Sequence, residues 1–184
     1  MKDNNAFKYN GLTPTFLINM SHEMRTSLNR ILGLAQVMLQ SKKWSSASDA
    51  PLKKGRRDKD WSNYTALIVE DDPVSCKVLK AMLRNTNINI IHADNGMEAI
   101  EQVRLNPQID LVLMDVNLPG INGLETTGKI LDMNPTLPVI AQTANGSKDK
   151  CLEAGCVDYI SKPIDMNELF DKISKILPCK MMVA

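Results

Sequence analysis

Hydrophobic and polar positions follow three different patterns along this chain. Between residues 14 and 41, Leu17, Met20, Met24, Ile31, Leu34 and Met38 recur at alternating three- and four-residue steps, interrupted once by Ser27. That spacing predicts one long amphipathic helix with a bundle or coiled-coil seam, widened by Leu28, Leu32 and Ala35. Residues 42–62 are polar, with Ser45-Ser46-Ala47-Ser48 followed by Lys53-Lys54-Gly55-Arg56-Arg57, and read as a solvated linker. From residue 64 to 178 short apolar runs alternate with helical periodicity. Strands are predicted over 65–69, 89–92, 110–114, 137–141 and 157–161. Helices follow from Pro73, around 99–103, and over 123–131, 149–154 and 164–176.

Five strand–helix units of this length predict an α/β domain with a doubly wound parallel sheet and right-handed crossovers. In such sheets ligands bind beyond the carboxyl ends of the strands. Polar residues stand at four of those ends: Glu70-Asp71-Asp72 after Val69, Asp115 after Met114, Thr143 near the end of the fourth run, and Lys162 before Pro163. Crowded carboxylates repel one another unless a cation lies between them, and oxygen donors suit Mg2+. Asp115, alone at the end of the central strand, is the candidate nucleophile for phosphorus, and Glu70 and Asp71 are the candidate metal ligands. Lys162 and Thr143 are placed to neutralise and hydrogen-bond phosphoryl oxygens.

Composition narrows the field without naming a chemistry. Hydrophobic residues make up 43%, charged residues 23%, and the net charge is +1, as for a soluble globular protein without a basic nucleic-acid footprint. No apolar run approaches a membrane span, and the N-terminus lacks an apolar secretory core, so a cytoplasmic location is expected. Cys76, Cys151, Cys156 and Cys179 show no metal-ligand spacing and read as reduced thiols. No glycine-rich dinucleotide fingerprint follows the first strand. Asn117 stands where a haloacid-dehalogenase-type phosphatase would need a second aspartate.

The runs LIVEDDP, LVLMDVNLPGINGLE, PVIAQTAN and DYISKP, in that order and spacing, resemble a response-regulator receiver domain over residues 64–178. The resemblance implies a flavodoxin-like sheet of order 2-1-3-4-5, with Asp115 as phosphoacceptor and a domain that catalyses its own phosphorylation and dephosphorylation. It also implies Mg2+ held by Glu70, Asp71, Asp115 and the backbone carbonyl of Asn117. Thr143 and Tyr159 become a switch pair, Lys162 a phosphoryl contact preceding a cis proline, and Asp72 a peripheral acid. The phosphoryl donor would be a histidine kinase or a histidine phosphotransfer protein.

Residues 16–33, FLINMSHEMRTSLNRILG, resemble the phosphoacceptor helix of sensor histidine kinases. His22 matches the phosphorylated histidine and Glu23 its acidic neighbour, while Ser27 and Arg30 replace the usual Pro and Gly. Only the short polar segment separates this helix from the receiver, where a hybrid kinase carries a second bundle helix and an ATP-binding domain. The expected protein is therefore a truncated hybrid histidine kinase in a phosphorelay, without autokinase activity, whose lone helix self-associates or is unstable. A non-catalytic module that titrates partner kinases is the alternative.

Overall fold

The computed structural model describes residues 59–144, 148–178 and 180–181. The predicted helix over 14–41, with His22 and Glu23, lies outside them, as does Cys179. The elements in chain order are β1 (Lys59–Asp60), β2 (Thr65–Val69), α1 (Pro73–Leu83), a 3-10 turn (Arg84–Thr86), β3 (Asn89–Ala93), α2 (Gly96–Leu105) and β4 (Leu111–Asp115). Then follow α3 (Gly123–Met133), β5 (Val139–Thr143), α4 (Lys148–Glu153), β6 (Asp158–Ser161), α5 (Met166–Ile176) and β7 (Lys180–Met181).

Strands β2 to β6 form a five-stranded parallel sheet of order β3-β2-β4-β5-β6, which is 2-1-3-4-5 when those five are counted alone. Order reverses beside β2, because β3 and β4 pair with its opposite edges. The middle strands are apolar on both faces, as strands covered by two helical layers must be. Ile68, Leu113, Ile140 and Ile160 face α1 and α5, against Leu79, Met82, Leu169 and Ile173. Leu67, Val112, Met114 and Ala141 face the other layer, against Ala99 and Val103 of α2, Ile130 of α3 and Cys151 of α4.

Helix starts are set by short polar side chains. Asp72, Asn95, Asn122 and Asp165 each cap a helix by accepting from backbone N–H groups in its first turn. Asp165 explains why α5 begins at Met166 rather than at 164. Strand boundaries also differ from the expected ones. β4 and β5 run on to Asp115 and Thr143, because parallel pairing continues through the polar residues as Asp115↔Gln142 and Thr143↔Ser161. β5 starts only at Val139, since Leu137 N–H is used in a turn to Asn134 and Pro138 has no N–H to donate.

The polar segment 42–62 does not remain linker to its end. Lys59–Asp60 pair antiparallel with Lys180–Met181, and Trp61 is fully buried in the α1/α5 core, with its ring edge-on to Phe170 at 5.7 Å. The polar composition of the segment hid this, because a single indole carries the burial within a charged stretch. The folded unit therefore exceeds the expected 64–178 at both ends. Cys76, Cys151 and Cys156 are buried free thiols, and burial raises the pKa of each, Cys156 to about 11.

Candidate active site at the carboxyl ends of the strands

Glu70, Asp115, Gln142 and Ile160 form one row across the sheet on the α1/α5 face, fixed by the register of β2, β4, β5 and β6. Lys162 follows on the same face of β6 after Ser161, and its backbone N–H donates to Thr143 O at 2.8 Å. Its Nζ reaches back across β5 to Glu70 Oε2 at 2.7 Å and Asp115 Oδ2 at 2.8 Å. Glu70 and Asp115 are only 1% and 4% exposed, so this ion triad is shielded from bulk water. The Lys162–Pro163 peptide is cis, as the resemblance implies.

Charge in the triad is unbalanced. Carboxylate oxygens of Glu70, Asp71 and Asp115 all lie within 4.8 Å of one another, and Lys162 pairs with two of them. Burial, with repulsion from Asp115 and Asp71, pushes the Glu70 carboxyl up to about 7 despite Lys162. Burial and Asp115 also raise Asp71. Burial disfavours the Lys162 ammonium, but Asp115 and Glu70 more than offset it, so its pKa is raised. All three shifts describe a site with surplus negative charge. An all-oxygen donor set with such a surplus fits a hard divalent cation such as Mg2+.

The supporting residues are backbone-precise. Asn117 N–H donates to Asp115 Oδ1 at 3.0 Å and holds that carboxylate against the loop. A Cβ on Gly123 would sit 1.9 Å from the carbonyl oxygen of Asp115, so α3 starts this close to the end of β4 only because the residue is glycine. His92 Nε2 lies 3.0 Å from the Glu70 carbonyl. Sequence patterning marked Gly123 only as a helix start and gave no signal for His92.

The remaining expected residues sit differently. Thr143 is buried at the end of β5 and shares the opposite face with Tyr159, whose register partner is Ala141. Lys172, paired with Asp158 at 2.6 Å, places its ammonium 5.0 Å from the Tyr159 ring centre. Asp72 is the α1 cap, accepting from Ser75 N–H and Oγ, and that accounts for its lying outside the acidic cluster.

Residues 66–174 match the response regulator receiver domain, which is more than half of the sequence. The chain belongs to that family. One relative of this receiver is the transcriptional regulatory protein ZraR of Klebsiella oxytoca, 39% identical over 60% of this chain and 26% of ZraR. The chain thus spans about a quarter of the length of such curated relatives. Among solved structures, the receiver domain of the sensor histidine kinase PA1611 from Pseudomonas aeruginosa, with magnesium coordinated in its active-site cleft, is 32% identical. It superposes with a TM-score of 0.58 over 62% of this chain and 98% of that one. The complex of the Saccharomyces cerevisiae histidine phosphotransfer protein Ypd1 with the receiver domain of its downstream regulator Ssk1 gives 29% identity. Its TM-score is 0.60 over 66% of this chain and 93% of that one. The receiver therefore belongs to two-component phosphorelay signalling, and among the described residues no helix is long and apolar enough to cross a membrane.

Proposed function

We propose that this receiver accepts a phosphoryl group on Asp115 from a phosphohistidine. One observation carries the reading: a buried carboxylate at the end of the central strand, bonded to an ammonium and flanked by two further carboxylates. A carboxylate oxygen of Asp115 attacks phosphorus in line as the P–N bond to imidazole breaks, giving an acyl phosphate. Asn117 N–H keeps the other oxygen engaged, so the attacking oxygen is the one now bound to Lys162. Lys162 then follows the charge onto the phosphoryl oxygens. Glu70, Asp71, Asp115 and the Asn117 carbonyl would hold Mg2+, which would neutralise that charge. Thr143 and Tyr159 convert the new charge into a surface change on the face they share.

The donor is a histidine phosphotransfer protein or a histidine kinase, as the yeast complex exemplifies for another receiver. The upstream segment 14–41 resembles a kinase phosphoacceptor helix, with His22 and Glu23 as its reactive pair, and we read the chain as an internally shortened hybrid kinase. Purified protein is expected to show no autophosphorylation with ATP and Mg2+, and sedimentation is expected to show concentration-dependent association through that helix. The decisive test uses Mg2+ with acetyl phosphate and intact-mass detection. A phosphoryl adduct, absent from Asp115→Asn, is expected. An inert wild-type chain under conditions that label an ordinary receiver would instead make it a non-catalytic interaction module.

A further inference from the structure

Gln142 is the unexplained residue of the site. It is 0% exposed, and neither its Nε2 nor its Oε1 has a hydrogen-bond partner among the described residues. A buried carboxamide left unpaired is destabilising and calls for a reason. Its position is specific. It stands beside Asp115 in the same row and on the same face, while its backbone carbonyl accepts from Val116 N–H at 3.0 Å. Lys162 starts beyond β6 yet bonds Glu70 and Asp115 on β2 and β4. Its side chain therefore crosses the end of β5, the strand that carries Gln142.

We propose that Gln142 is a positioning residue for the phosphorylated site, unpaired at rest and hydrogen-bonded once Asp115 carries a phosphoryl group. The inference rests on Asp115 being the acceptor. At rest the Lys162 ammonium bonds Glu70 and Asp115, and it makes no bond to the carboxamide. Phosphorylation turns the Asp115 carboxylate into an acyl group and moves negative charge outward onto phosphoryl oxygens. Lys162 is then drawn away from Glu70, and its stem and ammonium reposition over β5. Gln142 Oε1 accepts from that ammonium, and Nε2 donates to the acyl oxygen of Asp115. The amide thereby biases the switch, because it opposes the resting state and supports the charged one.

Gln142→Leu separates this role from a structural one. Wild type and variant are first exposed to Mg2+ and acetyl phosphate, and an adduct on wild type establishes the acceptor. Both are then titrated calorimetrically with beryllium fluoride in Mg2+, which mimics a phosphoryl group on a carboxylate, and melted with and without it. The variant is expected to melt about 2–4 °C higher at rest, since a buried unpaired amide is gone. It is also expected to bind beryllium fluoride about tenfold more weakly and to gain less in melting temperature from it. Equal affinity, with both melting temperatures shifted in one direction, overturns the role of Gln142 and leaves Asp115 as acceptor. A wild type without adduct overturns both. Gln142→Met, which keeps the length of the side chain without the amide, gives the same comparison if the leucine variant folds poorly.

Discussion

The two ends of the parallel sheet are held together by opposite means. At the amino end Trp61 is wholly buried, its backbone N–H bonds Thr86 O at 2.7 Å, and β1 pairs with β7. Lys59 adds a bond to the Ser174 hydroxyl and lies 5.9 Å from the Trp61 ring centre. At the carboxyl end three carboxylates and one ammonium are crowded together, two of the acids nearly without solvent. Apolar burial stabilises by about 25 cal/mol per Å2 without regard to direction. Buried charge stabilises only where geometry and partners compensate desolvation. One end therefore holds the fold, and the other holds the candidate site against a stability cost.

The largest expected effect is at the amino end. Trp61→Ala removes the biggest side chain of the α1/α5 core and is expected to cost about 3–5 kcal/mol in denaturant unfolding. In the cooled, still-folded fraction the acetyl phosphate adduct should persist, and its loss there would break the division between the two ends. At the carboxyl end, Lys162→Met leaves the acids without their cation. A loss of about 3 kcal/mol is expected at pH 8, shrinking toward pH 5 as carboxyls take up protons, and partly restored by Mg2+.

An effect of similar size is a slope in stability against pH. Glu70 is raised from 4.5 to about 7, so between those values the folded state holds a proton that the unfolded chain has released. Stability from this group therefore falls as pH rises through that window and levels off above it, by at most about 1.4 kcal/mol per pH unit. The difference between wild type and Glu70→Gln across pH 4.5 to 7 isolates it, because the other acids are common to both. A flat difference would show that Lys162 alone balances the site. The smallest expected change comes from Asp72→Ala, which removes the α1 cap outside the acidic cluster. About 1 kcal/mol of stability should be lost, with the yield of adduct unchanged.

Much of the fold was legible because its signals are local. Continuous apolar runs marked the buried strands, and Pro73, Asn95 and Gly155 punctuated the helices at or beside their observed ends. The acids at the ends of β2 and β4 and Lys162 were visible as polar breaks after apolar runs, and the structure brings them into contact. Strand ends were displaced by one or two residues at β4 and β5, where register with a neighbouring strand outweighs side-chain polarity. Trp61 was missed because its burial depends on residues distant in sequence, such as Phe170, more than a hundred positions away.

By itself the sequence determined the alternation of strands and helices, the parallel sheet that follows from it, and the kinds of side chain delivered to one edge. Hydrophobic period and capping chemistry depend on neighbours within a turn or a strand, so they are written in the order of residues. Only the tertiary structure decided that Lys162 spans β5 to reach Glu70 and Asp115, that Gly123 must be bare beside the Asp115 carbonyl, and that Gln142 is buried without a partner among the described residues. Those facts are distances between segments far apart in the chain, set by register and close packing rather than by any residue's own preference.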